Sequence, residues 1–355
     1  MNTKTDPRIK ETYLYKKLEN SKVQCLTCNR FCIIEEGELG YCKVRLNHSG
    51  KLYSIEYSDI SSYNLNPIEK KPAYHYYPTS TALTLGSWGC NFPCEFCQNF
   101  EISKRPPPQD FFNSSLLSVE KVVETIRTNP GIQGISFSFN EPTLSLEYTI
   151  DVFKSVDPTY YKHYVTNGYM SPYALNLLID SGMDGITVSF KGLSKKIEQE
   201  LDIKLDKIWK NVKSAYQSGV HVEIVYLVIP GISDKREQII KFVDKIQENL
   251  SVYTPVHFIR YFPHYLYEIP ATPIDTLQKV HSIAKNKGLK YAYLGNVPGH
   301  PLQNTFCPNC SELLVRRDLM SVTYTNLTVD LKCPNCLEEI PIYPYRRVSE
   351  IKNKE

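Results

Sequence analysis

Between residues 81 and 295 the chain repeats one pattern: a short apolar run, an amphipathic stretch of helical length, then another apolar run. The runs TALTLG (81–86), GISFSFN (134–140), KHYVTN (162–167), DGITVSF (184–190), VHVEIVYLVIPG (220–231), PVHFIRYF (255–262) and KYAYLG (290–295) read as strands. LSVEKVVETIRT (117–128) spaces its apolar residues three and four apart, and SPYALNLLIDSG (171–182) has Pro near its start and Gly at its end. These are helix signals. Residues 234–249 and 274–287 behave in the same way. Strands that alternate with helices pair in parallel, because a helical crossover returns the chain to the sheet in the same direction. Six or seven such units predict an α/β fold, a partial or complete (β/α) barrel, with a doubly wound sheet as the alternative. In a barrel the chemistry gathers at the C-terminal ends of the strands.

The eleven cysteines fall into three groups with none left over: Cys25, Cys28, Cys32 and Cys42; Cys90, Cys94 and Cys97; and Cys307, Cys310, Cys333 and Cys336. This distribution predicts an N-terminal cysteine-rich segment (1–75), a central barrel (76–300) and a C-terminal metal-binding segment resembling a zinc ribbon (301–355). The middle group, C-x3-C-x2-C, directly follows the first strand, which puts it at the reactive end of the barrel. Three thiols neither close into disulfides nor complete a tetrahedral zinc site. A 4Fe–4S cube normally takes four thiolates, so three leave one iron open to a small molecule. Phe96, beside the last cysteine, is suited to shielding such a cluster. The alternative is zinc with a fourth ligand from elsewhere, His163, His221 or His257.

The pattern C-x3-C-x-aromatic-C after a first barrel strand resembles the signature of the radical S-adenosylmethionine (radical SAM) enzymes. The resemblance implies a 4Fe–4S cluster on Cys90, Cys94 and Cys97 that binds S-adenosylmethionine and cleaves it reductively. The product is a 5′-deoxyadenosyl radical that abstracts hydrogen from a substrate. A Gly-Gly-Glu-Pro-like motif at the end of the second strand binds the amine in that family. Here the stretch is SFNEPT, with Asn140 and Glu141 in the site and both glycines replaced. Thr166 and Asn167 of VTNGY are implied contacts of the ribose or carboxylate, although Asn-Gly also reads as a plain turn. Lys191 of VSFKG is kept where related activating enzymes have Asp-Leu-Lys-Gly, but Ser189 replaces the acid. VIPGISD (228–234) resembles the segment that packs on adenine near Ile229. Segments from about residue 12 to 345 are similar to the AmmeMemoRadiSam system radical SAM enzymes, relatives of pyruvate formate-lyase activating enzyme. That resemblance implies association with Memo-like and AMMECR-like proteins and need of a reducing electron donor. It supplies no substrate.

CPNC at 307–310 and again at 333–336, with 22 residues between, reads as a zinc ribbon; an iron site of rubredoxin type has the same ligands. The N-terminal C-x2-C-x3-C-x9-C fits zinc or an auxiliary iron–sulfur cluster. AYHYYP (73–78) and IRYFPHYLYE (259–268) read as a packed rim, or as a pocket around His257, Arg260, Tyr261 and His264. The net charge of +3, from 41 basic and 38 acidic residues, gives no reason to expect a nucleic-acid or membrane partner. The N-terminus has no apolar core like that of a signal peptide, and no long apolar run occurs. The expectation is a cytoplasmic radical enzyme acting on a protein or small molecule. The alternatives are an RNA-modifying enzyme that docks through the ribbon, or a non-catalytic iron–sulfur/zinc scaffold.

Overall fold

A computed structural model describes residues 6–107, 115–318 and 320–343. The chain begins with two small antiparallel sheets. One joins β1 (Lys10–Glu11), β6 (Lys51–Ser54) and β5 (Arg45–His48), and the other joins β2 (Tyr15–Lys17), β3 (Val23–Cys25) and β4 (Ile33–Ile34). The central sheet follows in chain order: β7 (Ser62–Pro67), β8 (Thr81–Gly86), β9 (Gly134–Phe137), β10 (Tyr161–Thr166), β11 (Gly185–Phe190), β12 (His221–Val228), β13 (Val256–Arg260) and β14 (Ala292–Gly295). β7 lies antiparallel to β8, and from β8 onward every neighbour is parallel. β7 and β14 are the two edges, so the barrel is partial. β7 comes from within the span 1–75, so the central sheet starts ahead of residue 76.

The helices cover the outside: α1 (Phe100–Ser103), α2 (Val119–Thr128), α3 (Leu146–Ser155), α4 (Pro172–Asp180), α5 (Lys195–Leu201), α6 (Leu205–Gln217), α7 (Arg236–Asn249) and α8 (Ile274–Asn286). Serine caps start three of them. Ser118 accepts from the Lys121 amide, Ser171 from Ala174 and Ser194 from Ile197. Each cap is worth about 1 kcal/mol. α7 shows how a helix finds the sheet. Ile239, Phe242, Val243 and Ile246 form its buried stripe. Phe242 sits 4.6 Å from the Tyr226 ring and 5.6 Å from Phe190.

Two strands end three residues before their apolar runs do. β9 stops at Phe137 because Phe139 turns to φ +78°, which carries Asn140 off the sheet. β12 stops at Val228 because the Ile229 amide is taken by Ser233 Oγ at 2.7 Å and Pro230 has no N–H.

At the C-terminus β15 (Thr305–Phe306), β16 (Leu313–Asp318) and β17 (Ser321–Thr325) form an antiparallel sheet. It bridges β14 and the segment before β8. Tyr291 and Tyr293 share a core with Tyr74, Leu314 and Val315. Arg317 of β16 donates to the Tyr74 carbonyl at 2.9 Å and to Thr305 Oγ1 at 2.8 Å. Among the described residues no helix is long and apolar enough to cross a membrane.

Candidate active site

A bend after β8 sets the position of the cysteine loop. Gly89 sits at φ +76°, and a Cβ there would lie 2.7 Å from the Cys42 carbonyl oxygen. Only glycine fits this turn and this contact between two cysteine loops. Beyond it the loop carries Cys90, Cys94 and Cys97 across the strand ends into α1. Lys104 Nζ closes it on the Phe92 carbonyl at 2.7 Å, and the Phe92 amide donates to Cys90 Sγ at 3.4 Å. Cys97 Sγ lies 3.1 Å from Ser103 Oγ.

Cys94, Phe96 and Cys97 form the roof of a cavity of about 300 Å³ inside the barrel. Its walls come from β10 to β14 through Val165, Ser189, Leu227, Ile259 and Gly295, with Lys191 at the end of β11. Lys191 Nζ donates to Ser189 Oγ at 2.7 Å. Burial pushes the Cys94 thiol up to about 11, against the pull of the Lys191 and Lys104 charges. Burial raises Cys90 as well. Such thiols stay protonated until a metal displaces their protons. Three sulfurs on one loop, two of them facing a cavity with a lysine at its rim, fit an anionic cluster with one open corner.

The residues expected to touch S-adenosylmethionine divide into three sets. Phe96 and Lys191 line the cavity. Asn140, Glu141, Thr166 and Asn167 form a hydrogen-bonded brace under the cysteine loop. Asn140 Nδ2 donates to Ser87 Oγ and the Gly89 carbonyl, both at 3.0 Å, and its Oδ1 accepts from the Ser87 amide at 3.1 Å. Glu141 is 1% exposed. Its carboxylate accepts from the Thr143 amide (3.2 Å) and hydroxyl (2.5 Å), the Thr166 hydroxyl (2.7 Å) and the Asn167 amide (2.7 Å). With all four bonds directed into the fold, Glu141 supports the loop from below instead of presenting an acid to an amine in the cavity. Burial raises its carboxyl despite these bonds. Asn167 Nδ2 continues the brace to Asn91 Oδ1 at 2.7 Å. Ile229 is fully buried and its N–H is used by Ser233, so the 229–231 turn is closed on itself.

The histidines considered as a fourth ligand are engaged elsewhere. His221 begins β12, about 23 Å from the strand's far end at ~3.3 Å per residue. His163 bonds Ser136 and Thr187, both at 3.1 Å. His257 lines the cavity but gives Nε2 to Glu223 at 2.6 Å. Of the aromatic stretch, Tyr261 lines the cavity, Arg260 donates to the Thr272 carbonyl at 2.8 Å, and exposed His264 packs by Phe100.

Lys71 emerges only from the structure. It is 3% exposed, with its ammonium 4.6 Å from the ring of Phe139, a cavity residue. Burial lowers it to about 7, helped by the Lys70 charge.

The C-terminal ribbon brings Cys307, Cys310, Cys333 and Cys336 together, with ligand sulfurs all within 4.8 Å of one another. The Glu312 amide and the Asn335 side chain hold Cys310 down to about 6. Four convergent thiols have the geometry that could hold a metal ion in a closed site.

A family model for the radical SAM superfamily matches residues 87–243. An uncharacterised protein of Methanocaldococcus jannaschii is 37% identical over 338 residues, 94% of this chain and 99% of that one. GTP 3′,8-cyclase of a Sulfurovum species is 23% identical over 178 residues, 48% of this chain and 52% of the cyclase. Among solved structures, a domain of pyruvate-formate lyase-activating enzyme from Bacteroides vulgatus is similar at 17% identity and TM-score 0.40, covering 46% of this chain and 99% of that one. Streptococcus suis SuiB bound to S-adenosylmethionine is similar at 16% identity and TM-score 0.47, covering 65% and 54%.

Proposed function

This chain belongs to the radical SAM superfamily, and from that premise we propose that it cleaves S-adenosylmethionine reductively to abstract hydrogen from a protein or small-molecule substrate. The observation that carries the reading is the three-thiol loop, with Cys94 and Cys97 opening onto the barrel cavity. When bound, a 4Fe–4S cluster and S-adenosylmethionine supply the one-electron cleavage and the 5′-deoxyadenosyl radical. The chain's own residues hold, orient and exclude. Cys90, Cys94 and Cys97 are the ligands. Asn140, Glu141, Thr166 and Asn167 fix the loop that carries them. Phe96 keeps water from the sulfurs. Lys191, steadied by Ser189, offers an ammonium to a carboxylate of S-adenosylmethionine or of the substrate. A cavity of about 300 Å³ suits a small molecule or one inserted side chain.

The reading includes zinc in the ribbon, supported by its compact four-thiol geometry. It also includes membership of the AmmeMemoRadiSam group, activity like that of a pyruvate formate-lyase activating enzyme, an external electron donor, and Memo-like and AMMECR-like partners, all supported by sequence resemblance. The test is anaerobic reconstitution with iron and sulfide, then addition of dithionite and S-adenosylmethionine, with 5′-deoxyadenosine as the readout. Product is expected from the wild type and none from Cys94→Ala. Equal yields from both, or none from a wild type whose cluster is confirmed spectroscopically, would favour the scaffold reading.

A further inference from the structure

The β16–β17 hairpin of the ribbon reaches the cavity. Its strands stay paired up to Asp318 and Ser321, so Met320 lies in the tight turn between them, at φ +77°. Met320 lines the cavity although it is 38% exposed, and so does Phe262, from the segment after β13, at the same exposure. A side chain that lines a cavity and also meets solvent sits at its mouth. Lys70, Gln98 and Asn99 are exposed lining residues too and make the polar part of that mouth. Met320 and Phe262 are its large apolar members.

Two attachments hold the turn in place. Arg317, 3% exposed, donates to the Tyr74 carbonyl at 2.9 Å, to the Gln303 carbonyl at 3.2 Å and to Thr305 Oγ1 at 2.8 Å. Its guanidinium lies 4.0 Å from the centre of the Tyr74 ring. Tyr74 and Gln303 are themselves cavity residues. The second attachment is the four-thiol site. Cys307 and Cys310 precede β16, while Cys333 and Cys336 follow β17. A metal on all four sulfurs closes the loop that contains the whole hairpin and so limits where its turn can go.

The mouth and the interior differ in chemistry. Inside, the cavity presents Lys191 and the cysteine sulfurs. At the mouth, one side offers a thioether and an aromatic ring. Methionine is unbranched and polarisable, so it fits itself to an apolar partner. Covering these two side chains removes apolar surface from water, which favours a ligand that is apolar next to its reacting position.

We propose that Met320 and Phe262 are specificity-determining residues that receive an apolar portion of the substrate at the cavity mouth, and that metal in the ribbon keeps Met320 there. The proposal rests on the cavity being the place of reaction, but its test needs neither cluster nor S-adenosylmethionine.

The test uses the full reduced chain carrying its ribbon metal but no iron, when Cys94 and Cys97 are free thiols opening onto the cavity. The chain is alkylated with N-phenylmaleimide or with N-(2-hydroxyethyl)maleimide, two neutral probes of different polarity, and followed by peptide mass spectrometry. The ratio of the two rates at Cys94 cancels the slow reaction of a buried thiol. The same ratio at Cys32, outside this cavity, is the reference. The wild type is expected to favour the phenyl probe more at Cys94 than at Cys32. Met320→Gln, which keeps the size and adds polarity, is expected to cut that preference about threefold or more, and Met320→Leu to preserve it. Cys310→Ser, which loses the metal, is expected to cut it likewise. No preference in the wild type, an unchanged ratio in Met320→Gln, or an equal fall in Met320→Leu would overturn the apolar mouth. An unchanged ratio in Cys310→Ser would overturn the role of the metal. None of these results bears on 5′-deoxyadenosine formation, so this proposal and the radical reading fail separately.

Discussion

Replacing Glu141 by alanine separates two roles that the same residue could fill. The carboxylate accepts four hydrogen bonds inside the fold, two from hydroxyls and two from the backbone amides of Thr143 and Asn167. In Glu141→Ala the Thr143 and Thr166 hydroxyls can rotate to other acceptors, but the amides cannot. Two buried amides left without an acceptor cost about 1–3 kcal/mol each, so about 2–6 kcal/mol in total. That is a large fraction of a typical domain's stability. Glu141→Gln keeps one carbonyl oxygen and is expected to lose less. The assay is guanidinium denaturation of the reconstituted protein under anaerobic conditions, followed by circular dichroism. Asn167 is held by Glu141 and reaches Asn91 beside Cys90, so iron retention is expected to fall in step with stability. If the alanine variant unfolded at the wild-type midpoint and lost only affinity for S-adenosylmethionine, the carboxylate would face the ligand and the brace assignment would be wrong.

Three other perturbations test the surroundings of the site. Arg45→Met strands the Glu147 carboxylate, both partners being 1% exposed. It is expected to cost about 3–5 kcal/mol, most of it restored in the double variant with Glu147→Leu; an unchanged denaturation midpoint in the single variant would contradict this. Lys71 titrates at about 7 folded against 10.5 for the ordinary group. Between those values the unfolded chain holds the extra proton, so Lys71 makes stability rise with pH. Lys71→Met is therefore expected to be more stable at pH 7, by on the order of 2–4 kcal/mol, with the gap closing towards pH 10; parallel pH profiles would rule the assignment out. In the ribbon, Cys310→Ser is expected to lose one metal per chain and expose the segment after residue 305 to limited proteolysis. Protons compete with the metal for all four thiolates, so metal retention by the wild type is expected to fall on acidification.

The features that the sequence revealed are local. Each strand run maps onto a strand because apolar alternation and βα connections are short-range signals, and the parallel order follows from them. The three-thiol loop and the CPNC knuckles keep their meaning because the ligand spacing fits within a few residues. Helix α3 shows where this stops. Seven of its ten residues are buried, and Glu147 and Thr149 are among them, so polar side chains on the buried side blur its period. The direction of the Glu141 carboxylate was equally hidden. The motif fixes its place at the end of β9, but the donors from Thr166 and Asn167 arrive from the next strand, 25 and 26 residues away. Lys71 is charged in the sequence and desolvated only because the barrel closes around Phe139. The nearness of Asn91 to four cysteines that begin 66 residues earlier, Cys25, Cys28, Cys32 and Cys42, and the open edge that leaves the barrel partial, likewise arise from contacts between distant segments. Sequence by itself determined which groups could bind metal and at which end of the barrel one set would lie. Tertiary packing decided which polar atoms face the cofactor cavity and which are consumed in holding it, because burial and hydrogen-bond partnership are properties of the assembled neighbours and not of any one stretch of chain.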